Sequence, residues 1–187
     1  MIAICIGHSR SGDSGAVSVG NVTEHTFNTA HGNRVAALLA DIGQPVEVIS
    51  HYEGNGYTAA QKWLAAYLKA KGAILALELH FNAADSPKAQ GFEYLHHEDS
   101  HRGRDLADAI LTAHRNRFPG AVCRGLQPIA PGGRGFEFLR RTPCPAVICE
   151  PFFGSNTDEW LLYTKETGRN RLAEAYAAGI KSFLGIK

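Results

Sequence analysis

Three apolar runs in this 187-residue chain each stop on a residue that can bind a metal or move a proton: IAICIGH ends at His8, AILALELH at His80 and AVICE at Glu150. In an open α/β sheet, ligands sit outside the carboxyl ends of the strands, so three strands ending this way direct their last side chains toward one crevice. A fourth group, Glu24, follows the first run by one loop. Two histidines and one carboxylate, with a coordination position left open, make the ligand set of a catalytic zinc rather than a structural one. The remaining carboxylate is then free to act as a base.

Each of these residues also has an ordinary explanation, and the explanations differ in strength. A lone histidine after a strand, such as His8, is commonly a loop residue satisfied by backbone or water. His80 resists that account, because a polar group closing a run as apolar as AILALEL must find a partner or cost roughly 2–7 kcal/mol. Glu78, two residues earlier, projects to the same face; its ordinary role is an ion pair or an outer contact to a ligand histidine. Glu24 opens a helix, where the dipole and the free N–H groups favour a carboxylate whatever its function. His25, about 100° further round that helix, competes with Glu24 for any ligand role. Glu150 has no helix to explain it, since Pro151 holds it extended. A buried carboxylate there is costly unless it has a task or a cation. His31, His51, His96, His97, His101 and His114 read as surface or loop residues.

Competing chemistries are missing from the sequence. There is no GxSxG elbow and no Walker loop, PGGRG does not open a helix after a strand, and the HExxH string at 97–101 straddles the Ser100 cap, so its two histidines do not share a helix face. Cys5, Cys123, Cys144 and Cys149 form no CxxC pair, and Cys5 and Cys149 fall in buried strands, so four free thiols are expected.

The elements that must hold these residues alternate strand and helix. That pattern predicts an α/β class and a single domain, with a central, mostly parallel, twisted sheet of about six strands flanked by helices on both faces. Residues 2–6 are expected as the first strand. A helix over about 24–42 buries Phe27, Val35, Leu38, Leu39 and Ile42, with Thr23 as N-cap. A short strand over 46–49 and a helix over 57–71 follow, and 73–79 is the most hydrophobic strand and the expected centre of the sheet. Residues 91–96 alternate and are expected as an edge or half-covered strand. A helix runs from Ser100 to about Arg117, an ordered loop covers 124–134, and a strand is expected over 136–139. The chain closes with a strand over 146–150 and helix from about Asn156.

Composition limits the partners. With 19 Lys and Arg against 18 Asp and Glu, the net field gives no reason to expect nucleic acid or an anionic membrane. No apolar run is long enough to span a bilayer, so no membrane insertion is expected. The opening MIAICIG enters a strand directly without signal-peptide features, which predicts cytoplasmic synthesis. One catalytic domain over residues 1–187, with no separate binding module, and a monomeric state are expected.

The order GHS..SGDSGA, EH..N at a helix head, LHFNAA, G.E and a late P-C-PAVICEPFFGSN closely resembles the zinc-dependent N-acetylmuramoyl-L-alanine amidases of the type-3 fold, over nearly the whole chain. The resemblance implies that His8, Glu24 and His80 bind Zn2+ and that Glu150 is the catalytic carboxylate. It thereby selects Glu24 over His25. It also implies a peptidoglycan substrate, cut between the lactyl group of N-acetylmuramic acid and L-alanine, with Asn82 and Arg134 as candidate substrate contacts. The usual D-P-G-H-G-G opening reads C-I-G-H-S-R here, and the second strand lacks the usual Thr-Arg ending; both departures bear on loop contacts to substrate rather than on the metal residues. Short members of this kind resemble phage or prophage lysis enzymes, which act on the periplasmic wall after other lysis proteins release them. The rival readings are a zinc carboxypeptidase or other amidohydrolase with the same ligands, and a non-catalytic peptidoglycan-binding module.

Overall fold

The computed structural model of the chain describes residues 1–186. Six strands, β1 (Ile2–Ile6), β2 (Val46–Ile49), β3 (Leu75–Leu79), β4 (Phe92–His97), β5 (Cys123–Ile129) and β6 (Ala146–Glu150), form one sheet in the order β2-β1-β3-β6-β4-β5. All neighbouring pairs are parallel except β4 against β6. Among the described residues four helices lie between the strands, α1 (Glu24–Leu38), α2 (Tyr57–Ala70), α3 (His101–Arg117) and α4 (Phe136–Arg141), and two follow β6, α5 (Thr157–Thr164) and α6 (Glu166–Phe183).

Side chains alternate across a strand, so each strand supplies two cores. Ile2, Ile4 and Ile6 of β1 join Leu75, Leu77 and Leu79 of β3 under α1, α3, α5 and α6. Ala3 and Cys5, with Ala76 and Ile148, face α2 and α4, where Leu64, Leu68 and Phe138 cover them. A strand buried on both faces reads as a continuous apolar run, and β1, β3 and β6 are buried at every position. β3 lies in the interior of the sheet, as its hydrophobicity predicts.

Connectivity sets where the site lies. α1 carries the chain from β1 to β2 on one face, and α2 returns it past β1 to β3 on the other. The strand order therefore reverses beside β1, and a ligand crevice opens at the carboxyl ends of β1 and β3. The parallel strands β1, β3 and β6 all end at that edge, and antiparallel β4 begins there, with Glu93 in register with Glu150.

Several local expectations need correction. Residues 123–129 form edge strand β5, and only the segment after it is loop; Pro128 is tolerated because β5 pairs on one side alone. Phe136–Arg141 is helix α4 and not a strand: Gly135 enters it at φ 72°, and Glu137 pairs with Arg140 and Arg141 one turn on. β4 is neither edge nor half-covered, since it lies between β6 and β5 and only His97 is not fully buried. Its charged residue, Glu93, is neutralised internally and does not mark a solvent face. α1 stops at Leu38, which points outward, while Leu39 and Ile42 pack inward from the turn that follows. The terminal helix is two helices, broken at Lys165, whose ψ of 150° is extended. His31, His96 and His114 are buried rather than superficial. All four cysteines are free.

Candidate active site

His8 follows β1 in a left-handed conformation, φ 59°, which is uncommon for a residue with a side chain and is found where surrounding contacts enforce it. Those contacts are present: Gly7 N–H donates to Leu79 O at 2.9 Å, Ser9 Oγ donates to Ile6 O at 2.6 Å, and Tyr52 N–H donates to Ser9 O at 2.9 Å. The imidazole is thereby turned out of the sheet, 5.0 Å from the ring of His80 in edge-to-face contact. Glu24 arrives from the first turn of α1, with Thr23 capping the helix through Thr26 N–H. The three residues each offer one ligand atom within 4.8 Å of the others. His25 faces away and its Nε2 lies 3.2 Å from Ser50 O.

Glu24 is the hub of the cluster. Its Oε1 lies 2.8 Å from His80 Nδ1 and accepts the Phe81 N–H at 3.2 Å; its Oε2 lies 3.4 Å from His8 Nε2 and accepts the Ala16 N–H at 3.2 Å. Burial alone would raise the pKa of Glu24, but the two histidines hold it well below the usual carboxylate range. Reciprocally, burial opposes the charged form of each imidazole, and Glu24 overrides it, so both His8 and His80 are raised. A pocket that draws positive charge onto two adjacent imidazoles around one buried carboxylate suits a divalent cation, which would replace those protons. The backbone leaves room for such a cluster: a Cβ on Gly7 would come within 2.2 Å of the His80 ring, and one on Gly15 within 2.7 Å of both Glu24 and His8. The donor set, two nitrogens and a carboxylate, fits zinc.

Glu150 closes β6 on the far side of His80 and is 4% exposed. Its Oε1 lies 3.4 Å from Arg134 Nη1, while its Oε2 is buried and has no hydrogen-bond partner. Burial pushes its pKa up to about 7, moderated by His80 and Arg134 and reinforced by Glu24 and Glu93. Arg134, from the loop after β5, also donates to Asn82 Oδ1 at 2.6 Å and to Glu93 Oε1 at 2.8 Å. Asn82 Nδ2 in turn donates to Glu93 at 3.1 Å, and Arg124 holds the other Glu93 oxygen at 2.9 Å. His8, Glu24, His80, Glu150, Asn82 and Arg134 therefore line a single cleft of about 320 Å³.

Sequence reading did not single out Asp13, Tyr52 or Gln61, which also line the cleft. Asp13 Oδ1 lies 2.9 Å from His8 Nδ1, and Gln61 Nε2 donates to Glu78 at 3.1 Å. Their only signal was polar residues expected near a metal ligand's second nitrogen, and Gln61 is 19 positions from His80 with nothing local to connect them.

An α/β sheet with two histidines and a carboxylate at its switch point, and beside them a second carboxylate with one oxygen unpartnered, has the parts of a metal-assisted hydrolase. The family model described as N-acetylmuramoyl-L-alanine amidase (Amidase_3) matches residues 2–182, and the chain belongs to that family. It is similar to an endolysin of Bacillus phage SPP1, 28% identical over 115 residues; the match takes in 62% of this chain and 42% of the endolysin's length. Among solved structures it is similar to the catalytic domain of CwlV, an N-acetylmuramoyl-L-alanine amidase from Bacillus (Paenibacillus) polymyxa var. colistinus, at 25% identity and a TM-score of 0.78 with all of both chains covered. The CwlD amidase from Clostridioides difficile, solved with the GerS lipoprotein, shares the fold at a TM-score of 0.84 and 21% identity, covering 100% of this chain and 99% of that one.

Proposed function

We propose that the chain is a zinc-dependent amidase that hydrolyses the bond between the lactyl carbonyl of N-acetylmuramic acid and the amine of L-alanine in peptidoglycan, acting at the bacterial cell wall. His8, Glu24 and His80 would hold the metal. Zinc, when bound, supplies a Lewis acid that polarises the amide carbonyl and acidifies a water molecule. Glu150 is the general base: its Oε2 receives the proton of the attacking water and returns it to the departing amine of L-alanine. Arg134 occupies the Oε1 side of that carboxylate, which leaves Oε2 free for the transfer. Asn82 and Arg134 are proposed to contact the substrate where the cleft runs toward β4. The chain is proposed to work as a single catalytic domain and a monomer, since every proposed site residue comes from within it.

The observation that carries this reading is the buried, unpartnered Oε2 of Glu150 beside the His8–Glu24–His80 cluster. A module that only binds wall has no use for a costly carboxylate with an idle oxygen. A soluble muramoyl dipeptide provides the test, read by mass spectrometry. The zinc-loaded protein should split it into N-acetylmuramic acid and a free dipeptide, and an intact substrate after prolonged incubation with zinc-loaded protein would contradict the assignment.

A further inference from the structure

Each imidazole of the cluster has a second carboxylate behind it. Asp13 Oδ1 stands 2.9 Å from His8 Nδ1, and Glu78 Oε2 stands 3.2 Å from His80 Nε2. The nitrogens turned toward Glu24 are the opposite ones in each ring, Nε2 of His8 and Nδ1 of His80. A neutral imidazole has one lone-pair nitrogen and one N–H. If Nδ1 of His80 serves a cation, Nε2 must carry the proton, and a buried N–H needs an acceptor. The acceptor in place is Glu78.

Glu78 is otherwise hard to explain. It is 3% exposed, in the middle of the sheet, on a strand whose other residues are all apolar. Its Oε1 is held from two sides, by Gln61 Nε2 of α2 at 3.1 Å and by Tyr52 Oη, from the segment after β2, at 3.4 Å. Both of those side chains are buried as well. The arrangement leaves Oε2 for the imidazole. Gly7 stands against the ring, and its missing side chain lets the ring occupy this place.

We propose that Glu78 is a positioning residue for His80: anchored by Gln61 and Tyr52, it accepts a hydrogen bond from Nε2–H, fixes the ring's tautomer and tilt, and presents Nδ1 to the metal. The inference deepens the zinc reading given above and rests on it. It makes α2, an element that contributes no proposed ligand, part of what sets the metal affinity.

The test is the zinc affinity of the metal-free protein, measured by competition with a chromophoric chelator. Loss of such an outer partner typically weakens metal binding about 10–100-fold. Glu78→Met, which keeps bulk and removes the acceptor, should show a loss in that range. Glu78→Gln retains a neutral acceptor and should lose several-fold less, and Gln61→Met, which loosens Glu78 without touching the ring, should fall between wild type and Glu78→Met. A second readout is the proton NMR spectrum of the cobalt(II)-substituted protein. The His80 Nε2–H should appear there as a shifted, slowly exchanging signal in wild type, exchange faster in Glu78→Gln and vanish in Glu78→Met. A purely structural Glu78 would alter melting temperature and leave that signal in place. If wild type binds no zinc, the metal reading itself falls and this inference with it. If wild type binds zinc and the variants match it in affinity and N–H exchange, only the positioning role is overturned. Should Glu78→Met not fold, Glu78→Gln decides, an unchanged affinity and exchange rate there being the contrary result.

Discussion

Glu24 and Glu150 show how one cleft gives two carboxylates opposite properties. Both are 4% exposed, yet the paired histidines hold Glu24 well below the usual carboxylate range while burial without a full partner takes Glu150 to about 7. Environments that push two titratable groups apart mark acid and base assignments. Glu150→Gln keeps the shape and removes the proposed base, so turnover should fall about 10²- to 10⁴-fold with zinc content unchanged. Loss of zinc in that variant would instead make Glu150 a ligand. Metal analysis should also find about one zinc per chain, lost in His80→Ala and Glu24→Ala and kept in His25→Ala, because His25 is turned to Ser50. Retention in Glu24→Ala with loss in His25→Ala would reverse that choice. At this scale the positions of His8, His80 and Glu150 were legible because each interrupts an apolar run. The choice between Glu24 and His25 was not, since both stand at a helix head where a carboxylate is favoured in any case. Only the family resemblance separated them.

Among elements, the approach of β1 to β3 matters most for the site. Gly7 sits where the two strands deliver His8 and His80, and the Gly7→Ala Cβ would have to occupy space within 2.2 Å of the His80 ring. Displacing that ring should cost zinc occupancy and at least about tenfold in activity, with about 1–3 kcal/mol of stability from overpacking. Zinc content and a urea melt of Gly7→Ala check this, and wild-type occupancy would show that the ring has room to move. The strands that build this approach were legible as unbroken apolar runs. Phe136–Arg141 was not, because the alternation in FEFL is the period of a strand, and the decisive features, the left-handed Gly135 and the Glu137 pairs to Arg140 and Arg141, lie in geometry. β4 misled for a related reason. Its alternating Glu93 faces Arg124, Arg134 and Asn82, partners 31, 41 and 11 residues distant, and not water.

For the molecule as a whole, His31 and His114, buried outside the site, make stability fall on acidification. His114 lies between the hydroxyls of Tyr94, at 2.7 Å, and Tyr163, at 2.8 Å, and burial, with a smaller contribution from His31, lowers its pKa to about 3. Burial and the nearby Arg34 and Arg169 lower His31 to about 3 as well. Both values lie below the ordinary 6.5 of the unfolded chain, so the unfolded state takes up protons that the folded state refuses. The stability these groups support is complete above about 6.5 and is lost progressively as pH falls toward 3. Neither nitrogen of His31 has a hydrogen-bond partner, so His31→Phe removes the titration without breaking a bond. Urea denaturation at pH 7 and pH 4 should show a smaller loss on acidification in that variant than in wild type; an equal loss would clear His31 of the effect.

The central claim is the bond that is cut, and digestion of purified peptidoglycan tests it most directly, because each hydrolase of the wall leaves a different new end. Zinc-loaded protein should release new L-alanine amino termini and generate no new reducing sugar ends, the glycan strands staying intact while the peptides come away. Glu150→Gln protein with its metal in place should release almost none. New reducing ends, new D-alanine or diaminopimelate termini, or wall binding without release would each contradict the account and point in turn to a glycosidase, a peptidase or a binding module.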